Sequence, residues 1–417
     1  MLNKREQLLK INEINNFIID YCEIFADNEE ELIYSEEQIE EIISEDEEIE
    51  AIDFNFPGEE EYTSIEPDEL IDLFDEIKSI EIISNGFIRT NLRRYYIVSL
   101  TDSEDEHVLR TFHEIGSISN NGLKVSLIEQ SIIVGLAATK LEEYDNDYWG
   151  TANQYLAIEV IYETKDKILN KEKELELINS YIFEIADSTG FSLSTSEIRN
   201  PIDDYYDYEE QEEETPNHKL RELEPYNEGM KLFVSAIQIK DPELKFLNFY
   251  KVLEHFSPIA VNIEANELMR KKLDAPKSSF EDGDYIRSIF ELANSMRDRF
   301  NDEDLIKASF NTCFDIVSLF NKLPESIKKK IKKHIGATEL TYSTDKQKIT
   351  TASNIASKII YKTRNKVVHA KSNFNLTGEE IESSEFNQLN EFMKEASSQA
   401  IRWYSRQPNH LKLEIMK

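Results

Sequence analysis

The segment RNKVVH at residues 364–369 contains three side chains that could do chemistry together. Asn365 and His369 are four residues apart, so on a helix they lie about 40° apart on one face. Arg364 lies about 140° from His369 on the same helix, and its long side chain can reach toward that face. Histidine accepts or donates a proton near neutral pH, and a guanidinium stabilises negative charge that develops on phosphate oxygens.

These residue types suit metal-independent RNA cleavage, in which the ribose 2′-OH loses a proton and attacks the neighbouring phosphorus. Asn365 would orient the imidazole or bind a phosphate oxygen. One such set is short of a full acid and base pair, so two copies related by a twofold axis would complete the site. The pattern therefore predicts a homodimer with a composite active site, and the reaction requires no metal ion or cofactor. The alternative is a polar helix turn that only faces water.

Other charged side chains could support this chemistry. Glu254, in YKVLEHF, becomes a possible supporting residue if it faces the motif helix, although a glutamate on a helix rim more often faces water. Lysines could follow the backbone of a bound RNA strand, or could equally belong to ordinary solvated helix faces. These lysines are Lys328, Lys329, Lys332, Lys362, Lys366 and Lys371.

The composition is typical of a folded protein with more than one domain. The chain has 417 residues, of which 40% are apolar, with 22 Phe and 19 Tyr to build cores. Its two cysteines are far apart and outside any Cys/His cluster, which indicates neither a disulfide framework nor a zinc site. We expect a cytoplasmic protein, because the N-terminus lacks a signal-peptide pattern and no apolar run is long enough to span a membrane.

Charge is distributed very unevenly along the chain. Residues 1–217 carry 55 acidic and 15 basic residues, whereas residues 218–417 carry 28 acidic and 32 basic residues. The first part therefore has a net charge of −40 and the second a net charge of +4. This asymmetry predicts two modules with different partners, and the acidic module will not approach nucleic acid unaided.

The N-terminal part combines helix and strand patterns. An acidic helix is predicted in EEQIEEIISEDEEIE, and Asn-Gly pairs in IISNGFIRT and ISNNGLKVSL predict two β-hairpins. Further strands are predicted in RRYYIVSL, SIIVGLAAT and QYLAIEVIYE, followed by a helix at about 168–187. We therefore predict an acidic α+β domain at residues 1–200. Residues 201–217, with two prolines, eight acids and no bases, predict a linker.

Residues 218–417 predict an all-helical domain, because apolar residues recur there at spacings of three and four. One predicted helix, ITTASNIASKIIYKTRNKVVHA, contains the motif. Another begins with a capping box at Thr377–Glu380 and continues to Tyr404.

The motif resembles the R-x4-6-H motif of the HEPN family, and the Asn after the Arg is one that many members carry. The motif's place near the start of a late helix, after several helices, agrees with this resemblance. A second segment agrees as well, because the opening helices of Apea-like HEPN proteins of anti-phage systems are similar to YNEGMKLFVSAIQIKDPELKFLNFYKVLEHF. The resemblance covers about 218–405. It implies a dimeric, metal-independent endoribonuclease that acts as a toxin or abortive-infection effector and leaves 2′,3′-cyclic phosphate ends, with Arg364, Asn365 and His369 as the catalytic residues.

Two other interpretations compete with this one. Glu163 and Lys165, with Asp145 and Asp147 upstream, have the residue types of a metal-dependent nuclease, although this signal is weak in a chain with 83 acids. Alternatively the protein is a non-enzymatic HEPN-scaffold interaction protein whose acidic half mimics nucleic acid or binds a basic partner.

The acidic half also predicts regulation. Its carboxylates could dock on the lysines at 328–333 and 362–371 and so block the path of RNA, until a protein or phage-derived trigger displaced them. A sensor or regulatory role for residues 1–200 is therefore our expectation.

Overall fold

The computed structural model of the protein describes residues 3–22, 33–44, 49–57, 63–100, 117–144, 155–199, 220–274, 283–297, 301–369 and 378–412. Contacts divide the chain into two units. The first, which we call the mixed unit, contains 1–174 and 191–222. The second, the helical unit, contains 175–190 and 223–417.

The mixed unit is built on an antiparallel sheet. A short pair, β1 (Ile52–Phe54) and β2 (Thr63–Ile65), stands apart from a seven-stranded sheet with the order β3-β4-β5-β8-β7-β6, in which β9 also pairs with β5. The strands of the larger sheet are β3 (Glu81–Ser84), β4 (Phe87–Arg89), β5 (Arg93–Leu100), β6 (Ile118–Asn120), β7 (Leu123–Ile128), β8 (Ala157–Tyr162) and β9 (Leu193–Thr195).

Both predicted hairpins are confirmed. The first Asn-Gly pair joins β3 to β4 and the second joins β6 to β7. Asn121 and Gly122 have φ angles of 51° and 82°, and positive φ at both central residues is typical of the type I′ turn that suits a two-residue hairpin. The strands predicted in RRYYIVSL and QYLAIEVIYE are confirmed as β5 and β8.

The strand predicted in SIIVGLAAT is wrong, because this segment forms a helix. The described residues of the mixed unit form four complete helices: α1 (Lys4–Cys22), α2 (Glu36–Ser44), α3 (Pro67–Ile77) and α4 (Ile132–Lys140), of which the last is the misassigned segment. The Ser131 hydroxyl accepts a hydrogen bond from Val134 N at the start of α4. Every residue from Ile132 to Thr139 is buried, so the apolar residues surround the helix and no periodicity marks it.

The helical unit contains no strand among its described residues. It uses most of α5 (Lys171–Thr189) and then eight helices that confirm the predicted helical pattern: α6 (Glu228–Ile237), α7 (Pro242–Asp274), α8 (Gly283–Arg297), α9 (Asp302–Thr312), α10 (Ile316–Leu319), α11 (Glu325–Ile335), α12 (Lys346–Val368) and α13 (Phe386–Ser405). An α+β region followed by a helical region is therefore confirmed. No described helix is long and apolar enough to cross a membrane.

The predicted linker at 201–217 lies outside the described residues, so that boundary stays a prediction. The division of the chain seen in the structure differs in one respect from the predicted succession of two domains. Helix α5 begins in the mixed unit, and residues 175–190 belong to the helical unit. The helical unit is therefore discontinuous in sequence.

The predicted helix start at the capping box of Thr377 and Glu380 is wrong. Thr377 lies outside the described residues, and residues 378–382 are not helical. A short 3-10 turn at Ser383–Glu385 comes first, and α13 begins at Phe386. Contacts from residues 378–382 to α12, described below, hold this segment in an irregular, non-helical form.

Helix α7 runs through Pro258 without ending. Proline has no N–H to donate to the carbonyl four residues earlier, which belongs to Glu254. The Ser257 hydroxyl donates to that carbonyl instead, at 2.8 Å. The local sequence Ser-Pro thus replaces the lost backbone hydrogen bond.

A buried ion cluster fixes α5 against α13 within the helical unit. Arg402 Nη2 lies 2.6 Å from Glu184 Oε2 and 2.9 Å from Asp187 Oδ2. The Arg402 side chain is 12% exposed, and the two carboxylates are 1% and 6% exposed. Ser188 and Ser398 hydroxyls donate to the remaining carboxylate lone pairs. Carboxylates buried this deeply require their cationic partner, since a buried charge without one is strongly unfavourable.

We expect Arg402→Leu to lower the free energy of unfolding of the helical unit by about 3–5 kcal/mol, because it removes the cation that lies against two buried carboxylates. Arg406→Leu is the matched control: Arg406 is 72% exposed and, among the described residues, forms its ion pair with Glu224, so its loss should cost less than about 1 kcal/mol. Calorimetry of the full chain measures both. Equal effects would contradict the role given to Arg402.

A second prediction concerns the reactivity of the two buried cysteines. Burial raises the pKa of the Cys22 thiol to about 12 and also raises the pKa of Cys313. The thiolate is the reactive form, so neither thiol should react with a disulfide reagent at pH 8 in the folded protein. Both should react after denaturation in guanidinium. Rapid reaction of a native thiol would contradict the burial seen at these positions.

Candidate functional site

The last turn of α12 carries the predicted catalytic motif. The Asp345 side chain caps the start of this helix by accepting from Gln347 N at 2.8 Å. One side of the helix is buried, through Ala352, Ala356, Ile359, Ile360 and Thr363. Arg364 and Asn365 follow this buried stripe and are partly exposed.

His369 lies just beyond the helix, and the prediction of a motif near the start of a helix is wrong. Helix α12 ends at Val368. His369 has φ −102° and ψ 15°, and its backbone N–H donates to Asn365 O at 3.0 Å, which closes the last turn. Both Val368 and His369 are exposed. The imidazole is therefore carried at the exposed end of an anchored helix, where a substrate can reach it.

Arg364 is held by side chains of α7. Its guanidinium carbon lies 5.8 Å from the centre of the Tyr250 ring, and Arg364 Nη2 lies 3.9 Å from Glu254 Oε1. The ring gives the cation a π face, and the carboxylate gives it a counter-charge. Burial, reinforced by the Glu254 carboxylate, raises the pKa of the Tyr250 phenol, so the ring stays neutral at physiological pH.

Asn365 has a different partner from the one the sequence suggested. Its side-chain oxygen accepts from Arg364 Nη1 at 3.1 Å. This bond uses Nη1, whereas the ion pair with Glu254 uses Nη2, so both terminal nitrogens have a partner. In the structure Asn365 thus positions Arg364.

The six predicted RNA-binding lysines do not form one open strip. Lys328 is buried, lies 2.5 Å from Glu325 and donates to the Asn321 carbonyl. Lys329 is exposed and Lys332 is partly buried on α11. The other three are at α12 or beyond it: Lys362 and Lys366 contact residues 378–382, and Lys371 lies outside the described residues.

Residues 378–382, which we call the strap, lie against α12. The Ile381 N–H donates to Thr363 Oγ1 at 3.1 Å, and the Ile381 carbonyl accepts from Lys366 Nζ at 3.0 Å. Ile381 is 1% exposed and belongs to the core of the helical unit. At the other end of the strap Glu379 pairs with Lys362, and its carbonyl accepts from Lys330 at 3.3 Å.

Sequence analysis missed three residues around the motif. Tyr250 had a usable signal, because it stands four residues before Glu254 and so shares its helix face. Thr363 and Glu379 had no such signal in the sequence. Thr363 is an ordinary residue of a predicted helix, and Glu379 is one acidic residue among many. Their roles come from contacts between residues 15 to 18 positions apart in the sequence.

The residues of the metal-nuclease interpretation are not brought together as a described site. Glu163 and Lys165 are exposed, and Asp145 and Asp147 lie outside the described residues. Among the described side chains, no group of three metal-binding types lies close enough to hold an ion.

The described geometry defines a two-unit protein whose helical unit carries a guanidinium and an imidazole at one exposed helix end. No protein-family model, curated protein or solved structure matches the chain. Function is therefore argued from the site itself.

We expect Thr363→Val to lower the free energy of unfolding by about 1–3 kcal/mol, because the buried Ile381 N–H loses its acceptor. Thr350→Val, on the same helix, is the control: its hydroxyl donates to the Lys346 carbonyl at 3.0 Å but is exposed. Thr350→Val should change the free energy of unfolding by no more than about 0.5 kcal/mol. Denaturant titration compares the two, and a cost-free Thr363→Val would show that the strap is not held by this bond.

Proposed function

We propose that the protein is a metal-independent endoribonuclease of the HEPN type that acts as a toxin or abortive-infection effector in the cytoplasm. The observation that carries the proposal is the joint placement of Arg364 and His369. The guanidinium is held by Tyr250 and Glu254 of α7 and by Asn365, and the exposed imidazole follows five residues later, just beyond the end of the same helix. Such pre-positioning is what phosphate chemistry without a metal requires.

In the proposed reaction, one imidazole removes the proton of the ribose 2′-OH. The 2′-oxygen then forms a bond to phosphorus, and the bond from phosphorus to the 5′-oxygen breaks. A second imidazole donates a proton to that leaving oxygen. The products are a 2′,3′-cyclic phosphate and a 5′-hydroxyl, and Arg364 stabilises the charge on the non-bridging oxygens during the transfer.

The reaction uses two imidazoles, and each chain places one at this helix end. A homodimer with a composite site supplies the second one, related to the first by a twofold axis. In that assembly Glu254 is a positioning residue, because its carboxylate contacts the guanidinium. Asn365 has the same role through its bond to Arg364.

The charge asymmetry supports a second candidate, an interaction protein that is not an enzyme. A net charge of −40 on residues 1–217 could imitate nucleic acid or bind a basic partner. The helical unit would then only dimerise. This candidate and the nuclease differ at His369, because a binder does not need the imidazole.

Regulation by the acidic part belongs to the same proposal, with a protein or phage-derived trigger as its partner. A deletion of residues 1–217 is a poor test of it, because it also removes Glu184 and Asp187. Arg402 would then be left without its buried partners. A variant that neutralises exposed carboxylates of α2 keeps the helical unit whole and tests the same idea.

We expect the purified full chain to cleave RNA in EDTA, and His369→Ala to reduce the rate by about 10²–10⁴-fold, which is the usual contribution of a general acid or base. His334→Ala is the matched control, since His334 is also an exposed histidine near a helix end and bonds only to the Lys330 carbonyl in the described contacts. Sequencing of RNA ends identifies the cyclic phosphate. Full activity in His369→Ala would contradict the proposal and favour the interaction protein.

A further inference from the structure

The Glu379 carboxylate lies among lysines of two helices. It pairs directly with Lys362 of α12, and Lys358 of α12 and Lys330 of α11 are close enough to stabilise its negative charge. Lys358 and Lys362 are one helical turn apart, so their side chains extend to the same side of α12. The hydrogen bond from Lys362 lowers the pKa of Glu379, which keeps it charged. The carboxylate thus pairs with Lys362 and lies in the field of two further lysines, of which Lys330 also donates to the Glu379 carbonyl.

The two ends of the strap differ in how firmly they are held. Ile381 is buried in the core and bonded to Thr363. The Glu379 side chain is 45% exposed, and Gly378 before it has φ +74° with open space around it. A half-exposed ion pair contributes little, about 0.2–1 kcal/mol. The carboxylate can therefore leave the lysines while Ile381 stays in place.

An RNA phosphodiester carries the same single negative charge as this carboxylate, so it can replace the carboxylate as the partner of Lys362. A strand also brings neighbouring phosphates, which a side chain cannot. Lys362 precedes His369 by seven residues, which is about 10 Å along a helix. One bound strand could therefore contact the lysines and approach the imidazole.

We propose that Lys330, Lys358 and Lys362 form a binding site for an RNA backbone phosphate, and that Glu379 occupies this site as an internal competitor when RNA is absent. The identity of the ligand rests on the proposed function. The site differs from the catalytic residues, and it gives a role to lysines that would otherwise only hold the strap. Weak internal competition favours long strands, which make many contacts, over single phosphate groups.

The test measures binding of a fluorescent single-stranded RNA to the full chain by anisotropy. All variants carry His369→Ala, so the RNA is not cut. Glu379→Gln should raise the affinity about two- to fivefold, since it removes a competitor worth about 0.2–1 kcal/mol. Glu382→Gln is the matched control: it makes the same charge change three residues away at an exposed position. Its effect on affinity should be much smaller.

Salt dependence gives a second readout. Lys362→Gln should flatten the slope of log affinity against log salt by about 0.7, the value for one lost phosphate contact on a single strand. In the Lys362→Gln background the gain from Glu379→Gln should largely disappear. Melting temperatures of all variants check that the helical unit remains folded.

An equal gain in Glu379→Gln and Glu382→Gln would overturn the inference, since it would show only a general effect of charge. A loss of affinity in Glu379→Gln would overturn it as well, because the strap would then organise the RNA site. Failure of the RNA to bind to any of the variants would also overturn the inference. Absence of cleavage by the chain with His369 intact, together with the expected binding response, would overturn the proposed nuclease activity alone.

Discussion

The aromatic face of α7 is the surface on which the helical unit is assembled. Phe246, Phe249, Tyr250, Leu253 and Phe256 are almost fully buried along this face. Helices α6, α9, α12 and α13 all pack against α7. Removal of one such aromatic side chain typically costs about 3–5 kcal/mol. The same helix therefore builds the core and presents Tyr250 and Glu254 to the guanidinium of Arg364, so stability and the candidate site depend on one element.

Acidic residues have two distinct uses in this chain. Most of the described acidic residues are exposed, whereas a few are buried with a matching donor. In the mixed unit the Glu174 carboxylate accepts from the hydroxyls of Tyr96 and Tyr162, at 3.0 Å and 2.6 Å. In the helical unit Glu184 and Asp187 share Arg402. All three acids are on α5, so this one helix is anchored by carboxylates in each unit.

Local patterns predicted much of the fold. The Asn-Gly hairpins and most helices depend on residues close in sequence, and they appear where the sequence placed them. The failures have tertiary causes. Helix α4 is buried on all sides and so lacks periodicity. The strap is not helical, because Thr363 and Lys366 bind it against α12. The nature of the Arg364 environment was only partly predictable, since Glu254 was a candidate but Tyr250 was not. No sequence pattern predicted the pairing of Lys362 with Glu379.

The division of α5 between the units has a consequence for synthesis of the chain. Arg402 follows Glu184 by 218 residues, so the carboxylate leaves the ribosome long before its guanidinium partner. At about 5–20 residues per second, that interval is about 10–40 s. During this time α13 does not yet exist, and the core of the helical unit cannot close. Any activity that needs this core can therefore begin only after the segment that forms α13 has been translated.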